Sequence, residues 1–167
     1  PILASLDSMS GRLTFAPSSN VVAQVSAGRL RHAEQGAGSL PSTDVTRLTG
    51  SLSLHQPRLN GGAFAATLAY GVNTEDLIVP GSVVSQTSHA VMAEATLSSS
   101  TDAWFGRFEV AGKAGEHLHI HEDPAAIFTV GKIEVGYVRH LWQDRGVRVS
   151  FGGLAMASLV PDVMAPR

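Results

Sequence analysis

The chain has 167 residues, a net charge of −2, only 16% charged residues, 17 glycines and no cysteine. The near-neutral balance argues against a nucleic-acid partner, which requires a basic surplus on one face, and the lack of cysteine excludes disulfides, thiolate metal sites and a thiol nucleophile. Although 44% of the residues are hydrophobic, no run approaches the roughly 18 apolar residues of a transmembrane helix.

Nearly the whole chain alternates with a period of two, the signature of strands. In Ser8–Ala16, Met9, Gly11, Leu13 and Phe15 oppose Ser10, Arg12 and Thr14. In Val21–Ala27, Val21, Ala23 and Val25 oppose Val22, Gln24 and Ser26. Thr46–His55 sets Leu48, Leu52 and Leu54 against Arg47, Thr49, Ser51 and Ser53. Ala63–Asn73 sets Phe64, Leu68, Tyr70 and Val72 against Thr67, Ala69 and Gly71, and His89–Ser98 sets Val91, Ala93 and Leu97 against Met92, Glu94 and Thr96. Trp104, Phe108 and Val110 then oppose Phe105, Arg107 and Glu109. Ile133, Val135 and Tyr137 oppose Lys132, Glu134 and Gly136, and Val147, Val149 and Phe151 oppose Arg148, Ser150 and Gly152. No helical period competes. The expected fold is all-β, with about eight antiparallel strands running up and down.

Alternation fits a soluble sandwich as well as a membrane barrel, so other features must decide. Strands of roughly ten residues suit a tilted crossing of an apolar layer about 25 Å thick. Tight turns are expected at Pro17–Asn20, Gln56–Gly61, Ser99–Thr101 and Gln143–Asp144. Long loops are expected between them, at Arg31–Asp44, Thr74–Thr87 and Ala114–Ala126. Short turns on one side and long loops on the other is how outer-membrane barrels are strung. Charges also keep to one face: Arg47, Glu94, Arg107, Glu109, Lys132, Glu134 and Arg148. The other face carries Phe64, Tyr70, Trp104 and Tyr137, several near strand ends as an interfacial girdle requires. Both chain ends fall on the long-loop side, and residues 1–167 therefore read as one barrel segment, incomplete at both ends. The expected architecture is a transmembrane β-barrel in contact with the lipid bilayer.

The runs Leu6–Pro17 (LDSMSGRLTFAP), Ala23–Leu30 (AQVSAGRL) and Asp44–Leu52 (DVTRLTGSL) resemble a family of bacterial outer-membrane β-barrels of uncharacterised activity. Trp104–Lys113 (WFGRFEVAGK) and Gly131–Arg139 (GKIEVGYVR) fit the same family. The resemblance implies an outer-membrane location, a longer precursor with a signal peptide, and further strands on both sides.

Two groups of residues are candidates for chemistry. The mid-strand charges would line a lumen, either as a selective path for small solutes or ions or as a salt-bridged plug, with Ala65, Ala69, Gly71, Gly136 and Gly152 leaving room beside them. His117, His119, His121 and Glu122 supply nitrogen and oxygen ligands that suit Zn²⁺ or Cu²⁺. A straight strand, however, spaces alternate Cβ atoms about 7 Å apart, so one ion needs a bend there. A polar or pH-sensitive loop is the alternative. Ser88 beside His89 does not make a hydrolytic pair, since neighbours on a strand point to opposite faces, and no catalytic role is expected. The leading reading is porin-like passage or binding of small solutes. The alternatives are a non-conducting surface barrel with a metal- or partner-binding His-rich loop, and a soluble β-barrel or sandwich holding an apolar ligand.

Overall fold

A computed structural model describes residues 8–34, 43–58, 61–79, 82–115, 118 and 126–161. They form eight strands: β1 (Met9–Ser18), β2 (Val21–Glu34), β3 (Thr43–Arg58), β4 (Gly62–Val79), β5 (Ser82–Ser98), β6 (Asp102–Ala114), β7 (Ile127–Asp144) and β8 (Val147–Leu159). Every strand pairs antiparallel with the next, giving one sheet in the order β1 to β8 with no crossover. β1 and β8 are its two edges, and the sheet is open. The chain is thus all-β, up and down, as its period requires.

Register carries the sequence alternation across all eight strands. Phe64, Leu97, Trp104 and Tyr137 form one lateral row, and Leu13, Val25, Gly50, Tyr70, Val91, Val110, Gly131 and Leu159 form another. All of these stand on the apolar face. The other face carries Thr14, Gln24, Ser51, Ala69, Met92, Glu109, Lys132 and Ser158 in a single row. A slip of one residue between any two strands would exchange the faces.

Register shifts interrupt three of the seven pairings, and the one in β7 maintains this segregation where the period fails. Between His140 and Trp142 the register against β8 shifts by one residue, so that His140 faces Ser150 while Trp142 faces Val149. Trp142 thereby joins the apolar face, from which its even number would otherwise exclude it. In β1 the shift between Phe15 and Ser18 takes in Pro17, which has no N–H to donate and is accommodated at an edge bulge.

The connections are shorter than expected at Arg31–Asp44, where β2 runs to Glu34 and β3 starts at Thr43, and at Gln56–Gly61, where β3 runs to Arg58. They differ outright in two further places. The long loop expected at Thr74–Thr87 is instead strand: β4 runs on to Val79 and β5 starts at Ser82. The run Leu77-Ile-Val79, then Ser82-Val-Val84, is rich in β-branched residues around Pro80-Gly81, a composition that extends a hairpin rather than opening a loop. The last turn falls at Arg145–Gly146, not Gln143–Asp144, because both Arg145 (φ 45°) and Gly146 (φ 84°) take the positive φ of a two-residue type I′ hairpin. At the other tight turns, Ser99 Oγ accepts from the amides of Thr101 (3.2 Å) and Asp102 (2.9 Å). The segment after β6 is closed at its base by the Gly115 amide donating to Ala126 O at 2.9 Å.

Gly136 does not leave room for charged neighbours as the sequence suggests. Its cross-strand partner Phe105 lays its ring over it, and a Cβ at Gly136 would come within 2.2–2.8 Å of ring carbons. Gly136→Val is therefore expected to destabilise the sheet by about 1–3 kcal/mol through overpacking. The same change at Gly11, which has nothing within 4 Å, is expected to stay within about 0.5 kcal/mol. Urea unfolding of both variants, with F105A/G136V to relieve the clash, checks this.

Candidate functional site

The two faces differ in exposure opposite to a soluble sheet. In β2–β4 the apolar side chains stand out, with Val25 53%, Leu52 52% and Leu68 55% exposed. Their polar neighbours Gln24, Ser26, Thr49, Ser51, Ser53 and Thr67 are half-buried. In β2–β4 the polar face is thus the recessed one. Exposed apolar residues continue across the sheet through Trp104, Phe108, Ile133, Val135 and Phe151, far beyond the few hundred Å² typical of a monomer's largest apolar patch.

This apolar face forms a band with charged limits. From Val21 to Ala27 in β2, Leu48 to Leu54 in β3, Phe64 to Val72 in β4, Val91 to Leu97 in β5, Trp104 to Val110 in β6 and Gly131 to Tyr137 in β7, it holds no charge. The stretch Phe64–Val72 is nine residues. At about 3.3 Å per residue and a tilt of roughly 35–45° it has a height of about 21–25 Å. At one limit Arg29 pairs with Asp44 at 3.4 Å, and Tyr70 Oη meets His89 Nδ1 at 2.7 Å. At the other, Arg139 approaches Asp102 at 3.9 Å, the Tyr137 hydroxyl donates to Asp102, and the Trp104 and Tyr137 rings lie 4.4 Å apart. Aromatic rings with polar tips therefore mark both limits.

The seven charged candidates all lie on the polar face. Glu94, Arg107 and Glu134 are successive members of one row, and Glu109 and Lys132 sit in the adjacent row. Opposite charges on successive strands make cross-strand pairing available, but among the described residues the ion pairs of this cluster run along the strands. Arg107 meets Glu109 at 3.0 Å, and Lys132 meets Glu134 at 2.5 Å. A concavity of about 300 Å³ lies against this cluster, lined by Thr67, Glu94, Thr96, Phe105, Arg107 and Glu134. Arg47 stands apart on β3, its Nε donating to Asn73 Oδ1 at 2.8 Å. Arg148 shares the face but sits beside the β7–β8 turn, where its Nε donates to Gln143 Oε1 at 3.0 Å; it is not a mid-strand group.

Ser88 faces Asn73 on the polar side, whereas His89 faces Val72 on the apolar side. His117, His119, His121 and Glu122 lie outside the described residues, and among the described residues no three His, Asp or Glu side chains gather around a metal position. Two residues with a clear place here were not singled out from the sequence. Arg12 lies on the polar face of β1, donating from Nε to Ser26 Oγ at 3.0 Å. Its signal was available, since it alternates in phase with Ser10 and Thr14. Phe105 enters the polar face as the cover of Gly136, and only the lateral register links those two positions.

Compared with protein-family models, curated proteins and solved structures, the chain matches none.

The paired charges are half-exposed, with Arg107 47% and Glu109 41% accessible, so solvent screens them. Glu109→Gln is expected to lower stability by only about 0.2–1 kcal/mol, and by less in 1 M salt. Urea midpoints at low and high salt check this; a loss of about 3 kcal/mol would mean that the pair acts as a buried one.

Proposed function

We propose that the sheet is part of the wall of a β-barrel in a bacterial outer membrane, its apolar face against lipid and its polar face lining a lumen for small solutes or ions. One observation carries this reading. A band about 21–25 Å high, uncharged and densely apolar, covers the exposed face of β2–β7 and ends in a Tyr and ion-paired residues at both limits, joined by Trp104 at one of them. In water such a face costs about 25 cal/mol for each Å² exposed; in a bilayer it is at home. Antiparallel neighbours satisfy the backbone within the sheet, as a crossing without water requires. The free edges β1 and β8 are where further strands complete the barrel, and β8 is exposed along its whole length, with Leu154 57% and Met156 59% accessible on its polar side.

The lumen reading follows from the other face. Glu94, Arg107, Glu109, Lys132 and Glu134 present both signs of charge on one wall, and Arg12 and Arg47 present positive charge further along the sheet. Charges of this kind select solutes by sign and leave bulk passage to the width of the closed barrel.

Two substitutions next to each other in sequence separate the faces. Leu68→Arg is expected to lower the stability of the bilayer-folded protein by about 2–4 kcal/mol, whereas Ala69→Arg, pointing the other way, is expected to change it by less than about 1 kcal/mol. Folding titrations into phosphatidylcholine vesicles measure both. Equal effects at the two positions would contradict a lipid-facing side. In planar bilayers the complete protein is expected to conduct; an intact, inserted barrel with no ion current would remove the passage role.

A further inference from the structure

We infer that Arg12 and Arg47 form an oxyanion subsite on the polar face of β1–β3, suited to small solutes bearing a carboxylate or phosphate. The inference deepens the lumen reading and rests on it only for the route by which the solute arrives. Arg12 lies in the row of Ser26 and Thr49, and Arg47 lies one row further along with Ser10 and Gly28. With strands about 4.8 Å apart and same-face residues about 7 Å apart along each, the two Cα atoms are about 12 Å from each other. Two extended arginines reach a shared anion across that span.

The concavity between them has a volume of about 550 Å³ and is lined by Ser10, Arg12, Ser26, Gly28, Arg47 and Thr49. Gly28 stands in the row of Arg47, on the strand between those of the two arginines, and a Cβ there would meet the Ser10 Cβ at 3.2 Å. Glycine therefore keeps the floor low where a side chain would fill it. Ser10, Ser26 and Thr49 bring hydroxyl donors, the rest of the lining is glycine and aliphatic, and no lining residue brings a carboxylate.

Charge compensation sets this patch apart from the β5–β7 cluster. There, Arg107 and Lys132 each have a glutamate at 3.0 and 2.5 Å. Arg12 and Arg47 each spend their Nε on a neutral acceptor, Ser26 Oγ and Asn73 Oδ1, and neither meets a carboxylate among the described residues. Both guanidinium groups border the concavity, and the bonds they make there are to neutral acceptors. A guanidinium fork matches the paired oxygens of a carboxylate or phosphate, and such charge-assisted bonds are about twice as strong as neutral ones. A cationic solute is repelled at the same place.

Calorimetric titration of inorganic phosphate into the complete protein, refolded in a nonionic detergent, tests the subsite without requiring conductance. Phosphate is expected to bind the unaltered protein and to bind Arg12→Gln/Arg47→Gln at least about tenfold more weakly. Lys113→Gln, which removes a cation from the same face outside the concavity, is expected to leave binding unchanged. Arg12→Lys/Arg47→Lys keeps the charge and is expected to retain part of the affinity; a native β-sheet circular dichroism spectrum certifies each variant as folded. No binding by the unaltered protein, or equal binding by the glutamine double variant, overturns the subsite. Reversal potentials in a salt gradient separate the two proposals. A barrel that conducts without phosphate binding keeps the pore and loses the subsite. A barrel that carries no current yet loses phosphate binding in the glutamine variant keeps the subsite and loses the pore.

Discussion

Every second side chain in a strand points to the same side, and in this sheet seven antiparallel registers hold that rule in phase across eight strands. The rest of the structure depends on that coherence. Because Leu13, Val25, Tyr70, Val91 and Val110 share a row, the apolar residues merge into one continuous surface rather than eight separate stripes. Because the intervening rows are polar, the polar side collects the charges. The bulge that turns Trp142 outward shows the same constraint at a point where strict alternation would have broken it.

A surface of that kind needs cover, and its limits indicate what cover suits it. A second protein sheet would impose no upper and lower boundary of polar-tipped aromatics and ion pairs. A lipid layer imposes both, at a separation fixed by its thickness. On the proposed membrane placement, Tyr70 reaching His89, and Tyr137 reaching Asp102 beside Trp104, would stand where the chain leaves hydrocarbon for headgroups. Beyond the first of these limits β4 and β5 continue as a paired extension to Val79 and Ser82, where the apolar face gives way to Thr74, Thr87 and Asp76.

Strand type, face assignment and the gathering of the mid-strand charges on one face were legible in the sequence, because a period of two needs no knowledge of neighbours. Arg107, Glu109, Lys132 and Glu134 could be assigned to one face from alternation alone. Their pairing could not. Whether a guanidinium chooses the acid two residues along its strand or the one beside it depends on side-chain rotamers and local twist, which alternation does not encode. The Thr74–Thr87 segment looks like a loop in sequence because the clear apolar–polar alternation stops at Asn73, although the β-branched residues flanking Pro80-Gly81 carry the hairpin signal. Gly136 was read as open space for a similar reason: its occupant, Phe105, lies more than thirty positions away in sequence and is brought over it by register. Arg12 was visible in phase but lacked a charged neighbour to draw notice.

The central claim is that one face of this sheet meets lipid and the other meets water. The chain has no cysteine, so single spin labels introduced as Thr67→Cys, Leu68→Cys, Glu134→Cys and Val135→Cys report their positions without background. In vesicles containing the complete protein, collision with oxygen and with a water-soluble nickel chelate measures each label's surroundings. Labels at 68 and 135 are expected to favour oxygen and to exclude the chelate, while labels at 67 and 134 show the reverse. Equal access of the chelate to all four positions would contradict the account.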